Sequence, residues 1–548
     1  LPQIVQGLLN ITTPFYPTEE TTMKQPNARF TLGASLAAGL MLTAGSAVAE
    51  DQFACPVVGG ELIVAVESGI PTLDQHTTSA GATRNVAMNV FEALITRDAD
   101  MNPVPDLATS YEVSDDGMRY TFHLREGVTF HNGKPMTSAD VAASFDRYRE
   151  IGGNRSNLDA VEKWEMPDDN TFVLVMKHPQ ATFIENLSTY TVPIVIMPSE
   201  EAAKGVGEID IIGTGPFKYV EFVPDSHVLL ERFDDYVPTK VMATNSGFGG
   251  YKQACVDSVR FRMITETGAR MAALETGEVH IATAVPAISK ERLAALEGVE
   301  LASRLQGLSM GYPNFSNPPT DNLKVRQAMA AAINAEEIAY AASDGEFQLQ
   351  GAFQYPTQAY YSEAGLDMYN QNNPEKARAL LEEAGYNNEP VTLLATQQFQ
   401  WSYNAALVMS EQLKAAGFNV ELSVLDWPTA LATSRDAAGD WNFFFTVWTS
   451  TVQQGGPIAL RGFADPNNVF TPPNNKGPKE MNEIFDRVEN GATLEERVAA
   501  FGEGQKYALE NVLGIPFGVL KSTEGLRSEV KGFKSFTNVQ VSNIWIED

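Results

Sequence analysis

Only two of the 548 residues are cysteine and only six are histidine, which leaves little material for a metal centre or a thiol nucleophile. A closed zinc site needs four ligands at recognisable spacing, and His76, His123, His131, His178, His227 and His280 are scattered without it. Basic residues are also scarce: 39 Lys and Arg stand against 69 Asp and Glu, for a formal net charge of -30. Binding nucleic acid or anionic lipid requires clustered cations, so neither is an expected partner. The Gly-x-Ser-x-Gly elbow and the His-Glu-x-x-His pair are missing as well. No cofactor and no metal are expected. The chain shows no internal repeat or low-complexity linker, and the stretch Asp465 to Gly477 reads as a surface loop.

What is present begins near the amino terminus. From Met23 a basic segment leads into an apolar, small-residue run from Leu32 to Ala44, and Ala47-Val48-Ala49 precedes Glu50. This is the pattern of a secretory signal peptide over residues 23–49, cleaved after Ala49. The apolar run is too short for a spanning helix, which needs about 20 apolar residues. Residues 1–22 lack signal character and read as an upstream extension from a mis-assigned start. An exported chain meets an oxidising compartment, so Cys55 and Cys255 are expected to form a disulfide.

In the mature part, Glu61 to Val66 reads as a buried strand and Thr83 to Leu94 as a helix. Arg119 to Leu124 alternates as a half-buried strand. Thr137-Ser138-Ala139-Asp140 has capping-box spacing, which places a helix start there. Val391 to Ala395, Tyr403 to Ala416 and Phe418 to Val424 read as strand, helix and strand, a βαβ unit. Two α/β regions separated by a β-rich insertion imply lobes with a cleft, and clefts between domains commonly hold ligands.

Several segments carry a resemblance. They include Asn89 to Leu94, Pro105 to Ala108, Val113 to Gly117, Phe122 to Pro135, Gly213-Thr214-Gly215-Pro216-Phe217, Arg270 to Ile281, Val325 to Ala328 and Lys376 to Tyr386. In this order and spacing they resemble the extracellular solute-binding proteins of the dipeptide, oligopeptide and nickel transporter class. The resemblance implies an α/β fold of the periplasmic-binding-protein type II-like kind, with two principal α/β lobes, a hinge and an inserted third lobe. The large lobe would take residues 50–85, 209–308 and 518–548, the inserted lobe 86–208, and the second principal lobe 309–517. It further implies a periplasmic, monomeric component of an ABC importer. That component would close on a small peptide-like, opine-like or saccharide ligand and deliver it to membrane permease subunits.

Peptide-binding relatives carry a tryptophan followed three residues later by an aspartate that pairs with the peptide ammonium. The matching residues are Trp448 and Thr451, so the aromatic wall is kept and the carboxylate is not. A hydroxyl cannot neutralise a buried ammonium, which argues against unmodified peptides as ligands. Trp427 resembles a second pocket tryptophan. Trp401, Tyr403 and Arg461 are further candidates in the second lobe, as are Asp74 and His76 from the large lobe. Arg461 would fork onto a carboxylate or phosphate, or else stand as an exposed charge or form an inter-lobe salt bridge. The competing reading of the whole chain is an exported hydrolase acting on glycosides or peptides, since 69 acids contain chance carboxylate pairs.

Overall fold

The computed structural model describes residues 52–397, 399–436, 438–448, 455–464 and 479–547. The signal-peptide and upstream-extension readings, the loop reading over Asp465 to Gly477, and Thr451 all lie outside the described residues. Among the described residues no helix is long and apolar enough to cross a membrane.

The continuous apolar run Leu62-Ile63-Val64-Ala65-Val66 forms a strand, Glu61–Val66, flanked in parallel by Ser258–Met263 and Ile281–Ala282. Strands covered on both faces read in this unbroken way, and Leu62 and Val64 are fully buried. In a second region Pro390–Ala395 lies between parallel Asn419–Val424 and Phe443–Trp448, with the helix Gln400–Ala415 making the expected crossover. Two long antiparallel strands, Val299–Pro313 and Ile515–Arg527, join the two regions into one sheet. One end of this pair borders Ile281–Ala282, and the other borders Phe443–Trp448. The chain therefore passes between the regions twice along adjacent strands, which makes this pair the hinge.

A separate antiparallel sheet takes the strands Ala108–Val113, Arg119–Leu124, Thr171–Met176 and Val161–Asp168 in that order. Phe122, Phe172 and Leu174 pack there with Phe145 of the helix Ser138–Ile151. That helix starts with the expected capping box between Thr137 and Asp140. The early helix runs Gly81–Val90, stopping four residues before Leu94. The backbones of Gly213 and Gly215 pack directly against its end, where a Cβ would stand 2.1 or 2.7 Å from the Val90 carbonyl oxygen. Val86, Ala87, Val90 and Phe91 share a core with Val64 and Phe261, rather than with the inserted sheet.

Two histidines, His76 buried and His131 half-buried, help tie these bodies together. The Nδ1 of His76 accepts from Arg147 at 3.2 Å, and its Nε2 donates to the Val195 carbonyl at 2.9 Å. His131 accepts from the Gly213 N–H and donates to the Gly215 carbonyl. Both rings are thus held neutral. Burial is the main cause that lowers each from 6.5 to about 4, and Arg147 adds to it at His76. The unfolded chain takes up these protons near pH 6.5 and the folded chain only near pH 4. Their contribution is therefore complete above 6.5 and is lost as pH falls to 4, on the order of 3 kcal/mol for fully buried His76. Melting midpoints measured from pH 7 to pH 4.5 should fall steeply, and His131→Asn should flatten the slope; a flat wild-type profile would contradict this account.

Candidate functional site

The ladder of the two hinge strands slips between Leu305 and Gly307, leaving Gln306 outside the regular pairing. Such a bulge re-aims side chains next to a site. Arg304, Gln306, Ser522 and Glu524 line a cavity of about 380 Å³ at this point. Glu67 and Arg84 are the other charged residues of its wall, and Thr537 and Asn538 are among its polar ones. Arg304 pairs with Glu524 at 3.3 Å, and Glu524 also accepts from the Ser535 hydroxyl at 2.6 Å. Burial raises the Glu524 carboxyl above its usual range against the opposing pull of Arg304. Glu67 accepts from the Thr283 hydroxyl.

A second cavity of about 420 Å³ shares Arg304, Phe536 and Thr537 with the first and reaches Tyr355 and Gln358 on the opposite side. The Tyr355 hydroxyl is buried without a hydrogen-bond partner among the described residues. Burial pushes this phenol well above its ordinary value. A third cavity of about 190 Å³ shares Asp100, Met101 and Gln358 with the second and is bounded by Glu185, Tyr360, Gly455 and Gly456. The fourth, about 760 Å³, shares Pro103 and Glu185 with the third and is bounded by Tyr120 and Arg497. Shared lining residues place these four cavities side by side, in a series that begins at the two hinge strands.

Trp448 ends the strand Phe443–Trp448, paired with Leu308 of the hinge, so its backbone lies two residues from the bulge. Trp427 opens the helix Trp427–Ser434, whose first turn is capped by the Asp426 side chain accepting from the Thr429 N–H. Trp401 packs against the core of the second region beside Phe399, with ring centroids 6.3 Å apart. Neither Trp401 nor Tyr403 forms part of the four cavity walls.

Three candidates have other work. Asp74 and His76 do not reach the cleft: Asp74 is 2% exposed and His76 is fully buried. The Asp74 carboxylate takes both terminal nitrogens of Arg147, which locks the early turn to the helix of the inserted sheet. Arg461 pairs with Glu489 at 2.8 Å and reaches Asn186 Oδ1 at 3.4 Å. It bridges two chain regions.

Arg84, Glu67, Arg304 and Glu524 were not singled out from sequence. Arg84 did leave a signal, as the one charged residue on a ten-residue helix of otherwise small, apolar and amide side chains. Arg304 and Glu524 are 220 residues apart and meet only through strand pairing.

Residues 102–470 match the family model of the bacterial extracellular solute-binding proteins, family 5. The glutathione-binding protein GsiB of Pectobacterium atrosepticum is 30% identical over 67% of this chain and 69% of its own length. A probable peptide ABC transporter periplasmic-binding protein, y4tO, of Sinorhizobium fredii is 28% identical over 76% of this chain and 78% of its own. Among solved structures, AgaA from A. tumefaciens R10 in complex with agropinic acid aligns with a TM-score of 0.71 at 26% identity, covering 89% of this chain and 99% of that one. A dipeptide-binding protein from Pseudoalteromonas sp. SM9913, in complex with Met-Leu, aligns at 0.74 and 20% identity over 89% of this chain and all of its own; at that identity it shows the fold.

Proposed function

The chain belongs to family 5 of the bacterial extracellular solute-binding proteins, and we propose that it is the periplasmic receptor of an ABC importer that takes up a peptide-like or opine-like conjugate. The observation that carries this reading is the series of adjoining cavities beginning at a two-strand hinge, with charged side chains in the one nearest that hinge. Closure about such a hinge would trap the solute and present the closed form to permease subunits. In this reading the signal peptide is removed after Ala49, the lobes divide near residues 309 and 517, and the chain turns over nothing.

The ligand class follows from two features. The position three residues after Trp448 is Thr451, a hydroxyl where peptide-binding relatives carry the ammonium's carboxylate. A lost charge-assisted hydrogen bond weakens binding by roughly 1.5–3 kcal/mol. The GsiB relatives bind glutathione by name, and AgaA holds agropinic acid; both are conjugates rather than plain dipeptides. Trp448 and Trp427 would supply apolar faces for the ligand's stem.

Calorimetric titration tests the assignment. Unmodified di- and tripeptides should bind weakly or not at all, Thr451→Asp should improve them, and Trp448→Ala should remove most affinity for a conjugate that the wild type binds. Micromolar binding of a broad peptide set, unimproved by Thr451→Asp, would overturn this placement of the ligand.

A further inference from the structure

We propose that the cavity nearest the hinge is an oxyanion site built from Arg84 and the amino-terminal turn of its own helix, so that the captured solute carries a carboxylate or phosphoryl group. This rests on the solute-binding reading above and narrows its substrate class.

Two independent features converge on one cavity. The first is Arg84, only 7% exposed and set in the cavity wall. Its Nε donates to Asn538 Oδ1 at 3.1 Å, and its Nη1 to the carbonyls of Ser79 and Thr191. These acceptors are all neutral, and among the described residues no carboxylate lies within salt-bridge distance of it. The three bonds fix the guanidinium plane, and Nη2 lies toward Gly81, 3.8 Å from where a Cβ there would stand. Burying a cation without an opposite charge is costly, and burial lowers its affinity for the proton. Among the other buried arginines, Arg125 pairs with Glu92 and Arg147 with Asp74, whereas Arg97, Arg270 and Arg326 are held by main-chain carbonyls; Arg84 differs from these three in sharing its cavity with the start of its own helix.

The second feature is the helix start itself. Gly81 and Ala82 line the same cavity, and the cap position is Ala80, which offers no side-chain acceptor. The first turn contains no acidic residue. An uncapped helix amino terminus points free N–H groups and a partial positive charge at whatever lies in front of it. The acids on the cavity wall are otherwise engaged, Glu524 with Arg304 and Ser535, and Glu67 with Thr283. An oxyanion would supply the charge that Arg84 lacks and the acceptors that the helix end lacks.

Thermal melts at matched ionic strength test this with sodium succinate, sodium phosphate, sodium chloride and the uncharged control succinamide. Succinate or phosphate should raise the wild-type midpoint above chloride and succinamide, the larger rise telling carboxylate from phosphoryl ligands. Arg84→Met should weaken the apparent anion affinity at least tenfold, and Arg84→Lys, which keeps the charge but not the fork, should fall between. If Arg84→Met fails to fold by circular dichroism, the Lys variant carries the comparison. Equal responses in wild type and variant, or no anion response in the wild type, overturn the site. Calorimetry with neutral oligosaccharides separates the two claims: tight binding there would sink the oxyanion site and leave solute capture standing, whereas binding of nothing in either arm sinks both.

Discussion

Replacing Glu92 with alanine should lower the unfolding free energy by about 3–5 kcal/mol, the scale for stripping one partner from a buried ion pair. Glu92 is 1% exposed and accepts from Arg125 at 2.7 Å, from the Thr214 hydroxyl at 2.9 Å and from the Tyr236 hydroxyl at 2.9 Å. Lys252 stands 3.9 Å away and also pairs with Asp106 at 3.2 Å. Burial alone would raise the Glu92 carboxyl, but Arg125 and Lys252 together hold it below its usual value. Without it, Arg125 would retain the Tyr236 ring at 5.8 Å and the pull of the Asp106 charge, because its Nε and Nη1 have no hydrogen-bond partner among the described residues. This cluster also gives Thr214 of the Gly213-Thr214-Gly215 turn its purpose: its hydroxyl docks the turn onto the strand-leading segment at Glu92. Urea unfolding checks the expectation. The double variant Glu92→Leu/Arg125→Met should recover part of the loss, since an apolar pair strands no charge. The surface cluster of Glu165 with Arg119 and Lys163 is the control, and Glu165→Ala should leave the unfolding midpoint nearly unchanged. A loss under 1 kcal/mol at Glu92 would contradict the cluster's role.

Removing the Cys55–Cys255 disulfide should have an effect of similar size. The bridge spans 200 residues and ties the start of the described chain to the segment entering the strand Ser258–Met263. In the chain-entropy model a loop this long contributes up to about 5 kcal/mol by restricting the unfolded chain. The tied segment makes few other contacts: Cys55 N–H donates to Gln253 Oε1, Gly59 N–H to the Cys255 carbonyl, and Phe53 sits 6.0 Å from Trp545. Cys55→Ser/Cys255→Ser should therefore lower the denaturant midpoint substantially while leaving ligand affinity within a few-fold, because neither cysteine borders the cleft. Unchanged stability, or two free thiols under denaturing non-reducing conditions, would contradict the expectation.

The legible parts of the fold were local. The strand Glu61–Val66, the capping box at Thr137 and the βαβ unit over residues 390–424 each follow from periodicity or spacing within a few turns of chain. The disulfide was legible because only one pairing of two cysteines exists. The site was less so, because its chemistry depends on distant partners. Asp74 and His76 look like cleft residues until Arg147, some 70 positions on, claims them in the interior. Arg461 reads as a ligand anchor, an exposed charge or a bridge, and its contacts with Glu489 and Asn186, 28 and 275 residues away, are set by the fold alone. Arg84 could have been found by asking why a helix with eight buried residues keeps one charge.

The central claim is that this chain captures one small solute and releases it unchanged. Native mass spectrometry of the protein purified from the periplasm, followed by denaturation and analysis of what is released, tests it most directly. The expected result is a 1:1 adduct of a small organic acid or conjugate, recovered intact after prolonged incubation with the protein. Recovery of cleaved products, with the adduct mass declining over time, would show an enzyme and contradict the account.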